Sequence, residues 1–382
     1  DYNYRGDRSI TSLADAQERL LDLLMTNVYD VFVIAAMDWT KHFTPMVRTK
    51  IIEQVSGGAG LVWIGPNADL VKDGDGQALL PVGAYHGRHW ASLSHPNSAT
   101  PNAVSGAESL ARHIPIELQR NLLVHSYEAY TGTTHLTSRA LTPERGLHVP
   151  LLITGNYAKA RTAAVLWDNW YNSGRKDTPS RLLPVFPVHK SLRPDTPTFR
   201  YWEDLYALLA RTIVWAARRD SPVRLLVAEA SATEPTQLTA ITSSAAAGGK
   251  LHISWQDAIG VEVATSTVAT TTPGADGARL HWTIPVPMTV PAGPTYAHLC
   301  LRDADGNALD WGIVPFDMPG AVRLVAVEQP RPVLPYGGDA EAVVVLELVQ
   351  PVPDLRIDAL VLDGYGRELA RQSILVAAAE NP

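Results

Sequence analysis

The run Val31-Phe32-Val33-Ile34-Ala35-Ala36 is apolar without interruption and rich in β-branched side chains, and Leu61-Val62-Trp63-Ile64 repeats the pattern. A strand with one wet face alternates apolar and polar residues. An unbroken apolar strand therefore has to be covered on both faces, as in a parallel sheet held between helices. The residues between the two runs supply one such helix. Thr44-Pro45 offers a hydroxyl cap followed by proline at the first helical position, where the missing N–H has no helical partner to lose, and Gly57-Gly58 ends the segment. Strand, helix and strand in that order make a βαβ unit, whose crossover is right-handed. Upstream, Leu13, Ala16, Leu20, Leu21, Leu23 and Leu24 recur at helical spacing with Asp15, Gln17, Glu18 and Arg19 between them, which predicts a covering helix over 13–25.

Further strands are expected at Leu122–Tyr127, Leu151–Thr154 and Ala163–Trp167, the last two joined through a turn at Gly155-Asn156-Tyr157-Ala158-Lys159. Residues 66–115 are rich in Gly, Pro, Asn, Ser and His, carry little periodicity, and read as a long excursion at the carboxyl edge of the sheet. A helix from Phe199 to about Arg218, with Trp202, Leu205, Tyr206, Leu209, Ile213 and Trp215 on its apolar stripe, closes this unit. Beyond Pro222 helical periodicity disappears. Strands are predicted at Arg224–Ala228, Leu251–Trp255, Val261–Val268, Arg279–Ile284, Tyr296–Arg302 and Asn307–Val314, at the short spacing of an antiparallel sandwich. Val322–Glu328, Ala342–Leu348, Leu355–Asp363 and Leu369–Val376 follow, too few for a sandwich of their own. The 382 residues are thus expected to divide into 1–220, 221–319 and 320–382, the last either joined to its predecessor or incomplete.

Charge narrows the range of partners. Thirty-two Lys and Arg against 39 Asp and Glu leave a net charge of −7, which creates no field to draw in a phosphate backbone, so nucleic acid is not expected. No apolar run reaches the roughly 18 residues of a membrane span. The single cysteine, Cys300, forbids an intrachain disulfide and a cysteine-rich zinc site and leaves the compartment open. The sequence opens on Asp1 and reads as a processed or excised piece.

Tyr29-Asp30-Val31-Phe32-Val33-Ile34, the helix Met46–Val55, Gly57-Gly58-Ala59-Gly60-Leu61-Val62-Trp63-Ile64-Gly65, Pro150-Leu151-Leu152-Ile153-Thr154-Gly155-Asn156-Tyr157-Ala158-Lys159-Ala160-Arg161 and the terminal helix with Trp202, Ile213 and Trp215 belong together. With them the first 220 residues resemble the class I glutamine amidotransferase-like domains, in particular those of trehalose-utilisation-type proteins and those beside the barrels of family 42 β-galactosidases. The resemblance implies a flavodoxin-like α/β parallel-sheet domain, here followed by an all-β immunoglobulin-like sandwich region. In active members a cysteine occupies the strained turn after the strand matched by Leu61–Ile64, where a helix amino terminus lowers the thiol pKa. That turn here is Gly65-Pro66-Asn67, without thiol or hydroxyl, and Pro66 lacks a backbone donor. Pro187-Val188-His189-Lys190 also lacks the carboxylate that neighbours the family's histidine. The resemblance thus implies a pseudo-amidotransferase with no catalytic residue.

Open parallel sheets bind ligands at the carboxyl ends of their strands. Asp38, Trp39 and His42 follow the first strand, Asn67 and Asp69 the second, and Asp168, Asn169 and Trp170 a late one. The candidate ligand-binding set is therefore Asp38, Trp39, His42, Asn67, Asp168 and Trp170, against the alternative that the carboxylates cap turns and the indoles shield the sheet edge. Ten Trp against five Phe favour flat faces on which sugar rings stack, with Trp39, Trp90, Trp167 and Trp170 on predicted edges or loops. His86, His89 and His95 raise a zinc site, with His125 and His135 as further ligands, yet the segment shows no rigid element to hold a metal. Gly57-Gly58-Ala59-Gly60 precedes its strand, the reverse of a phosphate cradle. No metal or other cofactor is expected. The favoured reading is a noncatalytic accessory module of a larger, exported carbohydrate-active or cell-surface protein, partnered by that protein's other domains and by saccharide, with self-association open. A glycan hydrolase using Asp38, His42 and Asp168 is the alternative, and a structural envelope protein without small ligand is a third.

Overall fold

A computed structural model of the chain describes residues 12–35, 39–66, 74–91, 102–103, 109–114, 122–139, 148–168, 201–221, 223–230, 237–244, 249–257, 260–269, 279–287, 289–290, 292–318, 320, 322–328, 343–348, 355–362 and 368–376. The two apolar runs form β1 (Val31–Ala35) and β2 (Gly60–Ile64), which pair in parallel, and β8 (Ala160–Val165) pairs in parallel with β2. β7 (His148–Tyr157), β6 (Thr133–Arg139) and β4 (Asn102–Ala103) extend the sheet antiparallel, giving a mixed sheet in the order β1-β2-β8-β7-β6-β4. β7 and β8 turn through Ala158-Lys159, with Ala158 in the left-handed region at φ 48°.

Both faces of β2 are covered, which is why its sequence does not alternate. Leu61 and Trp63 pack in one cluster with Leu24 of α1 (Leu13–Thr26) and with Val47, Ile51 and Val55 of α3 (Pro45–Gly57), a helix that follows the short α2 (Trp39–His42). Val62 and Ile64 pack on the other face with Leu208 and Ala216 of the helix Tyr201–Ala216. Thr44 caps α3 by accepting the Val47 N–H at 3.3 Å, and Gly58, at φ 125°, ends it. A Cβ on Gly60 would lie 2.3 Å from the Ala216 carbonyl oxygen, so glycine is what lets the helix 201–216 close on the start of β2.

The span 66–115 contains more regular structure than its composition suggests. Besides α4 (Gly74–Ala78), it holds β3 (Tyr85–Ala91), which pairs antiparallel with β5 (Leu122–Tyr127), itself joined by β9 (Trp167–Asp168). The expectation of an element-free segment around His86 and His89 is thereby corrected: Gly, Arg and His weaken the β signal, and pairing with the apolar β5 supplies what propensity does not. The helix 201–216, labelled α5 below, departs from its predicted stripe as well. Leu208, Arg211, Thr212 and Ala216 are buried, whereas Tyr206 is 38 % exposed.

β10 (Leu225–Ala230), β11 (Gln237–Thr242) and β14 (His281–Pro285) form a three-stranded antiparallel sheet. β12 (Lys250–Asp257), β13 (Glu262–Ala269), β15 (Gly293–Arg302) and β16 (Ala308–Met318) form a four-stranded one in the order β13-β12-β15-β16. Leu238, Ala240, Trp282 and Ile284 from the first sheet and Leu251, Ile253, Trp255, Leu299 and Leu301 from the second share one core. β17 (Val322–Glu328) pairs with β18 (Val343–Leu348), and β19 (Leu355–Leu362) with β20 (Glu368–Val376).

A buried ionic cluster joins the mixed sheet's layer to the four-stranded sheet. Asp310 of β16 takes Arg112 Nη2 and the Leu225 N–H on its Oδ2, both at 2.8 Å, and lies 3.6 Å from Arg211 Nη2 of α5. Arg211 also donates to the carbonyls of Leu110 at 3.0 Å, Arg112 at 2.7 Å, and Trp311. The segment 109–114 is thus clamped between α5 and β16. Its His113 carbonyl accepts the Ile313 N–H at 2.7 Å, and its imidazole meets the Leu226 carbonyl at 3.0 Å. Burial lowers the Arg211 pKa to about 10, which leaves it charged at neutral pH.

Candidate functional site

Because β1, β2 and β8 are parallel neighbours, their carboxyl ends at Ala35, Ile64 and Val165 lie along one edge of the sheet. The backbone therefore brings together the three places from which the candidate ligands follow. Asp38, Asn67, Asp69, Asn169 and Trp170 lie outside the described residues, and for Asp168 and Trp167 only the backbone, in β9, is described. His42 is half-buried at the end of α2, and its carbonyl accepts from Gln17 Nε2 at 2.9 Å.

Trp39 is a correction. Its ring is 0 % exposed and packs 5.5 Å from Phe43 and 5.2 Å from Trp63, centroid to centroid, so no sugar can stack on it. The short α2 turns the indole beneath the strand end. From sequence, a tryptophan three residues beyond a strand and one starting a helix look alike.

Gly65, at φ 62°, makes the turn after β2, and its N–H donates to the Val165 carbonyl at 2.8 Å. The next carbonyl, of Pro66, accepts the Tyr127 hydroxyl at 2.9 Å. Tyr127 is buried beside Tyr85 and Tyr130, and burial raises its phenol pKa, so it remains a donor. The turn thus carries left-handed geometry and an occupied carbonyl, with no nucleophilic side chain at Gly65 or Pro66.

The histidines are dispersed. His86 is exposed on β3, His125 is buried on β5, and the side chain of His89 and all of His95 lie outside the described residues. Among the described residues no three or more His, Cys, Asp or Glu gather as a metal site would require. His135 on β6 is built into the fold: its Nδ1 accepts the Leu110 N–H at 3.0 Å, so its Nε2–H donates to Thr154 Oγ1 at 2.7 Å. Burial, reinforced by Arg112, lowers its pKa to about 4.

A concave site away from the strand ends was not foreseen. The outward face of the four-stranded sheet and Ala207 of α5 enclose a cleft of about 550 Å³. Its floor is laid by strand register. Thr267, His252, Cys300 and Trp311 form one row across β13, β12, β15 and β16, and Thr265, Ser254, His298 and Ile313 form the next. With strands about 4.8 Å apart, four of them give a floor roughly 14 Å wide. The Thr267 hydroxyl lies 3.1 Å from His252 Nδ1, and the Arg211 guanidinium lies 4.0 Å from the Trp311 ring centroid. Burial raises the Cys300 thiol pKa, which keeps it in the weakly nucleophilic thiol form. The sequence signal was the polar alternation His252, Ser254, Gln256 and His298, Cys300, Arg302, whose meaning depends on α5 lying over it.

Among the described residues no helix is long and apolar enough to cross a membrane. Comparison with protein families finds no match, and comparison with curated proteins finds none. Among solved structures, the chain is similar to a Bifidobacterium dentium β-glucuronidase complexed with coumarin-3-O-glucuronide, at 15 % identity and a TM-score of 0.17 over 28 % of this chain and 18 % of that one. It is also similar to a tetra-tandem repeat in the extending region of a large adhesion protein, at 16 % identity and a TM-score of 0.21 over 41 % of this chain and 38 % of that one. The chain therefore spans well under two thirds of either protein.

Proposed function

We propose that the chain is a noncatalytic accessory module of a larger, exported carbohydrate-active or cell-surface protein, providing assembly contacts and saccharide binding. In this reading residues 1–220 are an amidotransferase-like, flavodoxin-like domain that has lost its reaction centre, 221–319 an immunoglobulin-like sandwich, and 320–382 a further β unit. The observation that carries it is the turn after β2: Gly65 at φ 62° has the left-handed backbone of an elbow and no side chain to attack with, and the Pro66 carbonyl is engaged by Tyr127. Three strands facing four over one core support the sandwich. The test is ammonia release from glutamine by the purified chain. None above buffer is expected; release that disappears on Cys300→Ala would overturn the reading.

A further inference from the structure

The cleft over the four-stranded sheet carries a charge pattern that selects a ligand. At one end Lys250 and Arg302 stand opposite one another on β12 and β15, on the face that bears His252 and Cys300. Lys250 is exposed, and Arg302 is half-buried and donates to the Gly306 carbonyl at 2.7 Å. At the other end the Glu262 carboxylate takes the Ser254 hydroxyl at 2.6 Å. Asp303, next to Arg302, is turned into its own loop by bonds to Asn307. The buried cluster in contact with Trp311 holds two guanidiniums, Arg112 and Arg211, against the single carboxylate of Asp310, and water screens such a buried excess poorly. The field along the cleft therefore runs from positive at Lys250 and Arg302 to negative at Glu262. Between those ends the floor presents hydroxyls, imidazoles and an indole, the groups that hold a polyhydroxylated ring.

We infer that the cleft binds an acidic sugar, a hexuronate unit with its carboxylate at Lys250 and Arg302 and its hydroxyls over His252, Ser254 and His298. This deepens the accessory-module reading, on which it rests for a saccharide as the occupant. A cavity of about 550 Å³ admits a mono- or disaccharide, and Glu262 repels a carboxylate entering in the reverse sense.

The experiment is titration of the full chain with D-galacturonate and, in parallel, with neutral D-galactose, followed calorimetrically and by the rate at which iodoacetamide labels Cys300, the only cysteine in the sequence. Galacturonate is expected to bind at least about tenfold more tightly than galactose and to slow labelling of Cys300. Lys250→Gln combined with Arg302→Gln should remove that preference, and Glu262→Gln should preserve it. Because these side chains lie on the sheet's outward face, the variants are expected to fold, which the melting temperature checks. Equal binding of both sugars, or no binding of either, overturns the acidic-sugar assignment. Binding that leaves the labelling rate unchanged overturns the cleft as the site and leaves the module reading standing.

Discussion

Replacing Asp310 by Ala removes the carboxylate that pairs with two buried guanidiniums. The Asp310 and Arg211 side chains are each 7 % exposed and that of Arg112 is 9 % exposed, so neither charge regains water when its partner goes. Leaving such charges unpaired costs about 3–5 kcal/mol, and the Leu225 N–H loses its acceptor in the same step. Against a total stability of about 5–15 kcal/mol this is a large fraction. Asp310→Asn keeps the shape and an acceptor for Leu225 but not the charge, and is expected to lose most of the same amount. Arg211→Met in the Asp310→Ala background should not restore stability, because the carbonyls of Leu110, Arg112 and Trp311 would then lose their donor. The assay is urea unfolding followed by tryptophan fluorescence, with Glu53→Gln in the surface pair with Lys50 as a control expected to stay within error of the parent. A loss below about 1 kcal/mol for Asp310→Ala would refute the cluster as the joint between the two layers.

Acid should weaken the fold through His135. Its folded pKa of about 4 lies below the 6.5 of an unperturbed imidazole, so between those values the unfolded chain binds a proton that the folded chain does not. Stability is thus complete above pH 6.5 and falls by about 3 kcal/mol on descent to pH 4, with His113, whose pKa burial also lowers, acting in the same sense. His135→Gln should flatten that slope, and identical pH profiles for parent and variant would contradict the assignment. Trp39→Ala should cost about 3–5 kcal/mol of folding stability while leaving sugar affinity unchanged, read from the unfolding midpoint and from galacturonate titration.

The layered core was legible because its signal is local. The unbroken apolar run at 61–64 forecast the burial on both faces that β2 shows, whereas the same forecast for 31–36 is corrected, because β1 lies at the end of the sheet order and its Val33 is 43 % exposed; Thr44-Pro45 with Gly57-Gly58 bracketed α3 to within two residues. What escaped depended on contacts distant in sequence. β6 reads Thr133-Thr-His-Leu-Thr-Ser-Arg139, and β11 alternates only through Leu238, Ala240 and Thr242, so neither shows a strong period until a partner strand is present. Arg211 lies on an apolar helix and reads as a solvated charge, because its partner Asp310 is 99 residues further along the chain. The same distance hid the cleft, since the polar face of β12 and β15 resembles any wet sheet face until α5 lies over it. At the strand ends, topology places positions after β1, β2 and β8 along one edge, and only Trp39 can be withdrawn from the set, on burial.

Binding without turnover is the most exposed consequence of this account, and product analysis measures it directly. The full chain, at high concentration and over long incubation, is mixed with the oligosaccharides it retains on a glycan array, and the mixture is examined by mass spectrometry. Every glycan is expected to be recovered intact. Cleavage that is lost in Asp168→Asn or Asp38→Asn would contradict the account and establish a hydrolase at the strand ends.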